Sequence, residues 1–189
     1  LRMAARLTPE DWIAAGFAAL AQGGLAAIRI EALARGLGVS KGSFYWHFKD
    51  LPTLLQMVLT HWEDREGDWI LTSAASPAGD PGERLQRLAD RATAAEGSAA
   101  EAAIRDWARR DAIAAGVVAQ VDRRRLAYLA ACFDAAGLPE PMLRARLALQ
   151  ALVGAQHMAP PGAGAARSHL HLMWALLLQP LPLGGDEGG

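Results

Sequence analysis

The side chains with the most distinctive chemistry stand together between residues 40 and 49. They combine donors suited to phosphate oxygens and base edges with a glycine that allows close approach to a groove: Ser40, Lys41, Gly42, Ser43, Tyr45, Trp46, His47 and Lys49. In a helix, Phe44 and Phe48 would share one face, whereas Tyr45 and Trp46 would point largely the other way. A helix that buries two phenylalanines and exposes a tyrosine and a tryptophan needs a partner on its exposed face. The residue types favour DNA as that partner.

Two short helices joined by a tight turn are predicted to hold these side chains. Leu33 and Ala34 give the first helix a one-sided apolar face, and Gly38 can supply the positive φ that ends it. Val39 is expected to anchor the turn, and Ser40 is expected to cap the second helix. The segment therefore predicts a helix-turn-helix whose second helix faces DNA.

One helix precedes this pair and a longer one follows it. A capping hydroxyl at Thr8 begins the preceding helix, which is expected to run to about Gln22 and to be stopped by Gly23 and Gly24. Asp50 is predicted to cap a fourth helix that carries the apolar face onward. The three helices within residues 1–50 then form a small DNA-binding head, which the helix at about residues 50–71 links to the body.

Residues 33–48, LARGLGVSKGSFYWHF, resemble the helix-turn-helix of the TetR family of transcriptional regulators, whose usual pattern is roughly IA-x-x-AGVS-x-G-x-LY-x-HF. The similarity covers about residues 8–60. It implies an all-α protein with an N-terminal three-helix helix-turn-helix DNA-binding head and a C-terminal helical ligand-binding and dimerisation domain. It also implies a repressor that binds double-stranded DNA at a palindromic operator as a homodimer and is released by a small apolar or aromatic effector. The alternative is a ligand-independent DNA-binding or architectural protein.

Two places depart from the family pattern. Ile28 and Arg29 stand where a capping threonine or serine commonly opens the second helix, and Arg29 can itself reach a phosphate or a base. Leu51 stands where many members carry lysine or arginine, so that Lys49 is expected to supply the missing phosphate contact.

The remainder of the chain shows helical periodicity and no strand alternation. A loop-forming run, SAASPAGDPG, separates the fourth helix from further helical patterns. These patterns lie at about residues 82–94, 99–113, 117–136, 141–157 and 166–179. We therefore expect a single C-terminal domain at residues 72–180 and a disordered tail at residues 181–189, which holds four glycines and two acids.

The resemblance implies that the last two helices pack against their copies in a second subunit. Large and small apolar residues on these helices suit such a four-helix interface. The expected interface residues are Leu143, Leu147, Ala151, Leu152, Leu170, Met173, Trp174 and Leu177. The alternative is that both faces are buried within one subunit.

Aromatic and soft side chains in the body are candidates for an effector pocket. They are Trp62, Trp69, Trp107, Tyr128, Phe133, Met142, His157 and Met158. Each of them taken singly also fits an ordinary apolar core.

The distribution of charge favours DNA contact by the N-terminal end. The chain has a net charge of −1, yet residues 1–61 hold six basic and four acidic side chains, a balance of +2, and the remainder carries −3. Both lysines of the chain, Lys41 and Lys49, lie in the motif. So slight an excess would bind DNA weakly, and a dimer is expected to be needed for useful affinity.

Other function classes find little support in the sequence. No apolar run reaches the ~18 residues of a membrane span and no signal segment is recognisable, so we expect a cytoplasmic protein without a membrane partner. The single cysteine, Cys132, excludes an internal disulfide and a cysteine-rich zinc site. His169 and His171, two apart on a helix, would point about 200° apart and cannot share an ion. With no recognisable nucleophile or phosphate loop, we expect neither an enzyme nor a cofactor or metal.

Overall fold

The computed structural model describes residues 7–75, 83–84, 87, 95–157 and 172–179, together with their side chains except those of residues 69, 71, 73–75 and 95–98. Every regular element within these ranges is helical, which confirms the all-α prediction. The helices are α1 (Pro9–Gly23), α2 (Ile30–Gly36), α3 (Lys41–Phe44), α4 (Leu51–Ala75), α5 (Ala95–Ala108), α6 (Ala112–Ala135), α7 (Pro141–His157) and α8 (172–177), with one 3-10 turn at Leu25–Ala27.

The start of α1 is fixed by a reciprocal pair of hydrogen bonds. The backbone N–H of Asp11 donates to Oγ1 of Thr8 at 3.4 Å, and the backbone N–H of Thr8 donates to Oδ2 of Asp11 at 2.7 Å. This capping box satisfies two backbone donors that would otherwise lack a partner in the chain. At the other end, Gly24 takes a φ of 67° and caps the helix as predicted, and the last helical residue is Gly23 rather than Gln22.

Loss of this cap provides a test of the helix start. Thr8→Ala is expected to lower the free energy of unfolding by about 1 kcal/mol, because the N–H of Asp11 loses its acceptor. Urea unfolding followed by tryptophan fluorescence measures the change. Thr8→Ser keeps the hydroxyl and is the control; an equal loss in both variants would show that the hydroxyl is not what stabilises the helix start.

The break between α5 and α6 corrects the helices predicted at residues 99–113 and 117–136. Oδ1 of Asp111 accepts hydrogen bonds from the backbone N–H groups of Ile113 and Ala114, each at 2.9 Å. These bonds cap a new helix, so that α6 begins at Ala112. The pattern at residues 141–157 is confirmed by α7.

Two of the expected helices and the expected tail fall partly or wholly on residues that are not described. The helix predicted at 82–94 is described only at residues 83–84 and 87, which are helical, and the one predicted at 166–179 only at 172–179. The tail at 181–189 lies outside the described residues.

Contacts divide the chain into two compact units, Leu1–Asp68 with Glu96–Val121 and Trp69–Ala95 with Asp122–Gly189. The first unit contains α1, α2 and α3, and its core also takes side chains from α4, α5 and α6. Its fully buried apolar side chains include Trp12, Leu20, Phe44, Leu54, Val58 and Ile104. Residues 96–121 thus share a core with the predicted head. The functional boundaries proposed at residues 50 and 72 do not coincide with those of the compact units.

The second unit has a separate core around two stacked rings. The rings of Phe133 and Trp174 lie 6.1 Å apart between centroids with an angle of 18° between their planes. Ala145 and Ala148 on α7 are also buried in this core. Small residues on α7 therefore leave room for the aromatic pair.

Arg144 is a fully buried charged residue in the second unit. Its Nε donates to the carbonyl oxygen of Pro139 at 2.7 Å, and its Nη1 donates to the carbonyl oxygen of Leu177. The guanidinium thus joins the loop before α7 to the carboxyl end of α8, where a cation is favoured by the helix dipole.

Candidate nucleic-acid interface

The turn between α2 and α3 is fixed by backbone hydrogen bonds. Gly38 has a φ of 70°, a conformation that glycine adopts without steric cost. The N–H of Val39 donates to the carbonyl of Ala34 at 2.9 Å, and the Val39 side chain packs against the core of the first unit. The roles predicted for Gly38 and Val39 are confirmed.

Helix α3 is a single turn, shorter than the pattern predicts. Ser40 occupies its N-cap position, but its hydroxyl makes no capping hydrogen bond. The prediction that this side chain caps the helix is wrong, because the N–H of Ser43 already donates to the Ser40 carbonyl at 3.0 Å. Phe48 lies beyond the helix and is nevertheless buried, since its ring stacks on that of Phe44 at a centroid distance of 5.4 Å.

Phe44 anchors α3 to the rest of the first unit. It is fully buried, and its ring meets the ring of Trp12 edge-to-face at 5.3 Å between centroids. The ring of Tyr45 also meets it edge-to-face, at 5.2 Å between centroids. Phe44 therefore fixes the position of the residues that follow it.

The surface next to this anchor exposes the side chains that the sequence singles out. Trp46 is 84% exposed and Tyr45 53% exposed. Ser40, Lys41, Gly42 and Lys49 are also exposed, and Ser43 and His47 are half-buried. An indole so open to water contributes almost nothing to the core, so packing within the chain does not account for it.

Lys41 has a partner that the sequence does not indicate. Its Nζ lies 2.5 Å from Oε1 of Glu31, which joins the first turn of α3 to the first turn of α2. The hydrogen bond with Lys41 lowers the pKa of Glu31, and the same bond raises the pKa of Lys41. Both groups are therefore charged at neutral pH. In the sequence, Glu31 differs from its surroundings only in being an acidic residue in a segment that is expected to contact the polyanion DNA.

Arg29 lies at the same end of α2 as Glu31. It occupies the N-cap position without a capping side-chain bond, and its Nε donates to the carbonyl of Ala26 at 3.1 Å. Because Glu31 contacts Lys41, this end of α2 lies beside the beginning of α3. Arg29 is two residues before Glu31 in the chain, and its own side chain contacts Ala26.

The start of α4, directly after Lys49, is fixed by a side-chain cap. Oδ1 of Asp50 accepts hydrogen bonds from the backbone N–H of Thr53 at 2.9 Å and from its Oγ1 at 2.6 Å. These bonds lower the pKa of Asp50 and confirm the predicted cap. Lys49 is exposed directly before this cap. Leu51 is half-buried against the core of the first unit, a position that suits leucine better than a basic residue.

The residues predicted for an effector pocket belong to two different compact units. Trp62 and Trp107 are buried in the core of the first unit. In the second unit, Phe133 is fully buried, Tyr128 is half-buried, and Met142 and His157 are exposed. Met158 and the side chain of Trp69 lie outside the described part of the chain. The assignment of these residues to a pocket stays a prediction.

The residues predicted for a dimer interface divide into two groups. Leu143 and Leu147 are exposed on α7, and Ala151, Leu152 and Met173 are half-buried. Trp174 and Leu177 are buried in the core of the second unit, and their assignment to a dimer interface stays a prediction. The helical period puts Leu172 and Leu176 outside on α8. Leu170 lies outside the described residues.

Membrane and metal sites find no counterpart in the described ranges. No helix there is both long and apolar enough to cross a bilayer. Within the same residues, no three side chains of the histidine, cysteine or acidic type converge as ligands for a metal ion.

Known proteins resemble the chain both in the helix-turn-helix and in the fold. Residues 13–55 match the model of a family described as bacterial regulatory proteins, tetR family. A transcriptional regulator from Rhodococcus sp. Rha1 is 22% identical and has a TM-score of 0.75, with 92% of this chain and 97% of that chain covered. A TetR transcription regulator from Haloarcula marismortui is 21% identical with a TM-score of 0.74, and the coverage is 90% and 98%. A protein from Saccharomonospora viridis in complex with choline is 15% identical with a TM-score of 0.75, and the coverage is 86% and 93%. A comparison with curated proteins finds no match.

The family match and the exposed surface coincide. The matched residues contain the turn at Gly38, the anchor Phe44 and the exposed Trp46, and they extend into α4. The family consists of transcription regulators, not enzymes. Residues 13–55 therefore match the helix-turn-helix of the tetR family of bacterial regulatory proteins, and the fold of the chain is similar to that of solved transcription regulators.

Proposed function

We propose that the protein is a repressor that binds a palindromic operator as a homodimer and is released by a small apolar or aromatic effector. The observation that carries the proposal is the exposed surface of Tyr45 and Trp46 beside the buried anchor Phe44. In a major groove the Trp46 ring can contact a thymine methyl group, and Lys41 can donate to a base edge. Arg29 and Lys49 would hold phosphates on either side.

Exposed leucines on the last two helices support a homodimer. Leu143 and Leu147 are 48% and 43% exposed, and Leu172 and Leu176 are 63% and 56% exposed. Each pair is spaced by four residues and so shares one helix face. Gly154 continues the α7 face, and a Cβ added there would meet no atom within 4 Å, which leaves room for a second helix. Two recognition helices ~34 Å apart would then fit two half-sites of one operator.

The aromatic core of the second unit supports binding of an effector. The stacked rings of Phe133 and Trp174 lie within this core, and aromatic side chains commonly line sites for small organic molecules. The similar fold from Saccharomonospora viridis binds choline, a small organic cation. The full burial of Phe133 favours the alternative, a ligand-independent regulator whose rings are ordinary core.

Selection of bound DNA from a random-sequence library tests whether the protein binds a specific palindrome as a dimer. We expect purified protein to enrich a palindrome whose half-sites lie about one helical turn apart. A single asymmetric site would contradict binding as a symmetric dimer. The absence of any sequence preference would contradict specific recognition altogether.

Release by an effector requires a second measurement. Small apolar and aromatic molecules are screened for an increase in melting temperature, and each active molecule is added to the complex with the selected operator. Stabilisation together with DNA release supports an effector-responsive repressor. A molecule set that neither stabilises the protein nor changes operator binding would favour the ligand-independent alternative.

Leu147→Glu tests the homodimer directly. A charge in the apolar interface is expected to convert the dimer into monomers at micromolar concentration and to weaken operator binding by about 100-fold or more, because each monomer holds one half-site. Sedimentation and operator titration measure the two effects. Ile113→Glu, which changes an exposed apolar residue on α6, is the matched control and should leave the dimer intact. A dimer that survives Leu147→Glu unchanged would place the interface elsewhere.

A further inference from the structure

Glu31 places a negative charge on the surface that is proposed to meet DNA. The side chain of Glu31 is 60% exposed, and that of its partner Lys41 is 51% exposed. An ion pair this open to water contributes little to stability. A carboxylate on this surface also opposes the approach of phosphates. The presence of Glu31 therefore calls for an explanation in DNA binding rather than in folding.

The pair leaves Lys41 able to bind a second group. An ammonium carries three donors, and Oε1 of Glu31 takes one of them. Lys41 is the first residue of α3, and the N-terminal residues of a recognition helix are those that contact base edges. Without a partner, a lysine on its four-carbon stem is a flexible point charge that follows the nearest phosphate. Contact with Glu31 restricts that freedom.

We propose that Glu31 is a positioning residue for specificity, which holds Lys41 away from phosphates and directs its remaining donors to a base acceptor such as N7 or O6 of guanine. On a matching operator, Lys41 keeps its contact with Glu31 while it donates to the base. On sequences that do not place an acceptor at that position, Lys41 must leave Glu31 to reach a phosphate. Glu31 then penalises nonspecific DNA more than the operator. The inference rests on the proposed function, because it requires a base-specific operator complex.

Glu31→Gln tests this role by removing the charge while keeping the size of the side chain. Dissociation constants are measured for the selected operator and for a random duplex of equal length. We expect binding of the random duplex to become several-fold tighter and binding of the operator to stay equal or weaken. The dissociation constant for the random duplex divided by that for the operator should therefore fall about tenfold. Glu31→Asp, whose shorter carboxylate does not reach Lys41 in the same geometry, is expected to lower the ratio in the same direction.

Two controls separate positioning from a general charge effect. Glu10→Gln removes the same charge from an exposed site on α1 and should shift both dissociation constants by one common factor. In a Lys41→Ala background, Glu31→Gln should leave the ratio unchanged, because its target is gone. A ratio that stays within twofold in Glu31→Gln, or an equal fall in the Lys41→Ala background, would overturn the inference. A wild-type protein with no preferred sequence would instead overturn the proposed function.

Discussion

Phe44→Ala is expected to lower the free energy of unfolding of the first unit by about 3–5 kcal/mol and to remove operator binding. The ring is fully buried between those of Trp12 and Phe48. Helix α3 has four residues and no stability of its own, so it depends on this anchor. Since domains are stable by only ~5–15 kcal/mol, such a loss takes a large share of the total. Urea unfolding followed by tryptophan fluorescence and operator titration measure the two effects.

Phe44→Leu is the matched control for this loss. Leucine keeps most of the apolar volume and is expected to cost less than about 1.5 kcal/mol, with operator binding retained. The comparison separates the cavity left by alanine from the loss of aromatic contacts with Trp12. If Phe44→Ala had the same midpoint of urea unfolding as the wild-type protein, the position of α3 would depend on contacts other than this ring.

The parts of the site that sequence alone predicts are those whose signals act over a few residues. The cap at Thr8, the turn at Gly38 and the cap at Asp50 each depend on hydrogen bonds or a φ angle within about four positions. The exposed Trp46 next to the buried Phe44 follows from the alternation of residue types along one short segment. Local chemistry determines these features, and local chemistry is visible in the sequence.

The remaining features depend on residues that are distant in the chain, or on residue types that fit two different structural roles equally well. A charged residue such as Arg144 is expected at the surface, yet Arg144 is buried. Its guanidinium donates to the carbonyl oxygen of Leu177, 33 residues later in the chain, and the sequence does not show that these two groups meet. The partner of Lys41 is ten residues away across the turn. Asp111 could equally be a solvated helix charge, and only the folded chain shows that it caps α6. Periodicity indicates which face of a helix is apolar but not which helix covers it.

Trp46→Ala is expected to weaken operator binding by about 10–100-fold without changing the free energy of unfolding. The side chain is 84% exposed in the unbound protein, so its removal leaves no cavity in the core. In the proposed complex the indole is buried against bases, where an aromatic or apolar contact contributes ~1–3 kcal/mol of affinity and discriminates between bases. The affinity for random DNA should fall much less. Fluorescence anisotropy of labelled duplexes measures both affinities.

Lys49→Ala is the contrasting variant, because its proposed contact is a phosphate. A phosphate is present in every sequence, so this change should weaken operator and random DNA by one factor and reduce the slope of binding against salt by about 1. Trp46→Ala should instead keep the salt slope and lower the ratio of operator to random affinity. Trp46→Phe, which keeps an apolar ring, is expected to recover part of that ratio. Suppose that Trp46→Ala and Lys49→Ala each lower the affinities for operator and random DNA by equal factors. That result would contradict the division between base contact and phosphate contact. The exposed indole would then need a partner other than a base edge.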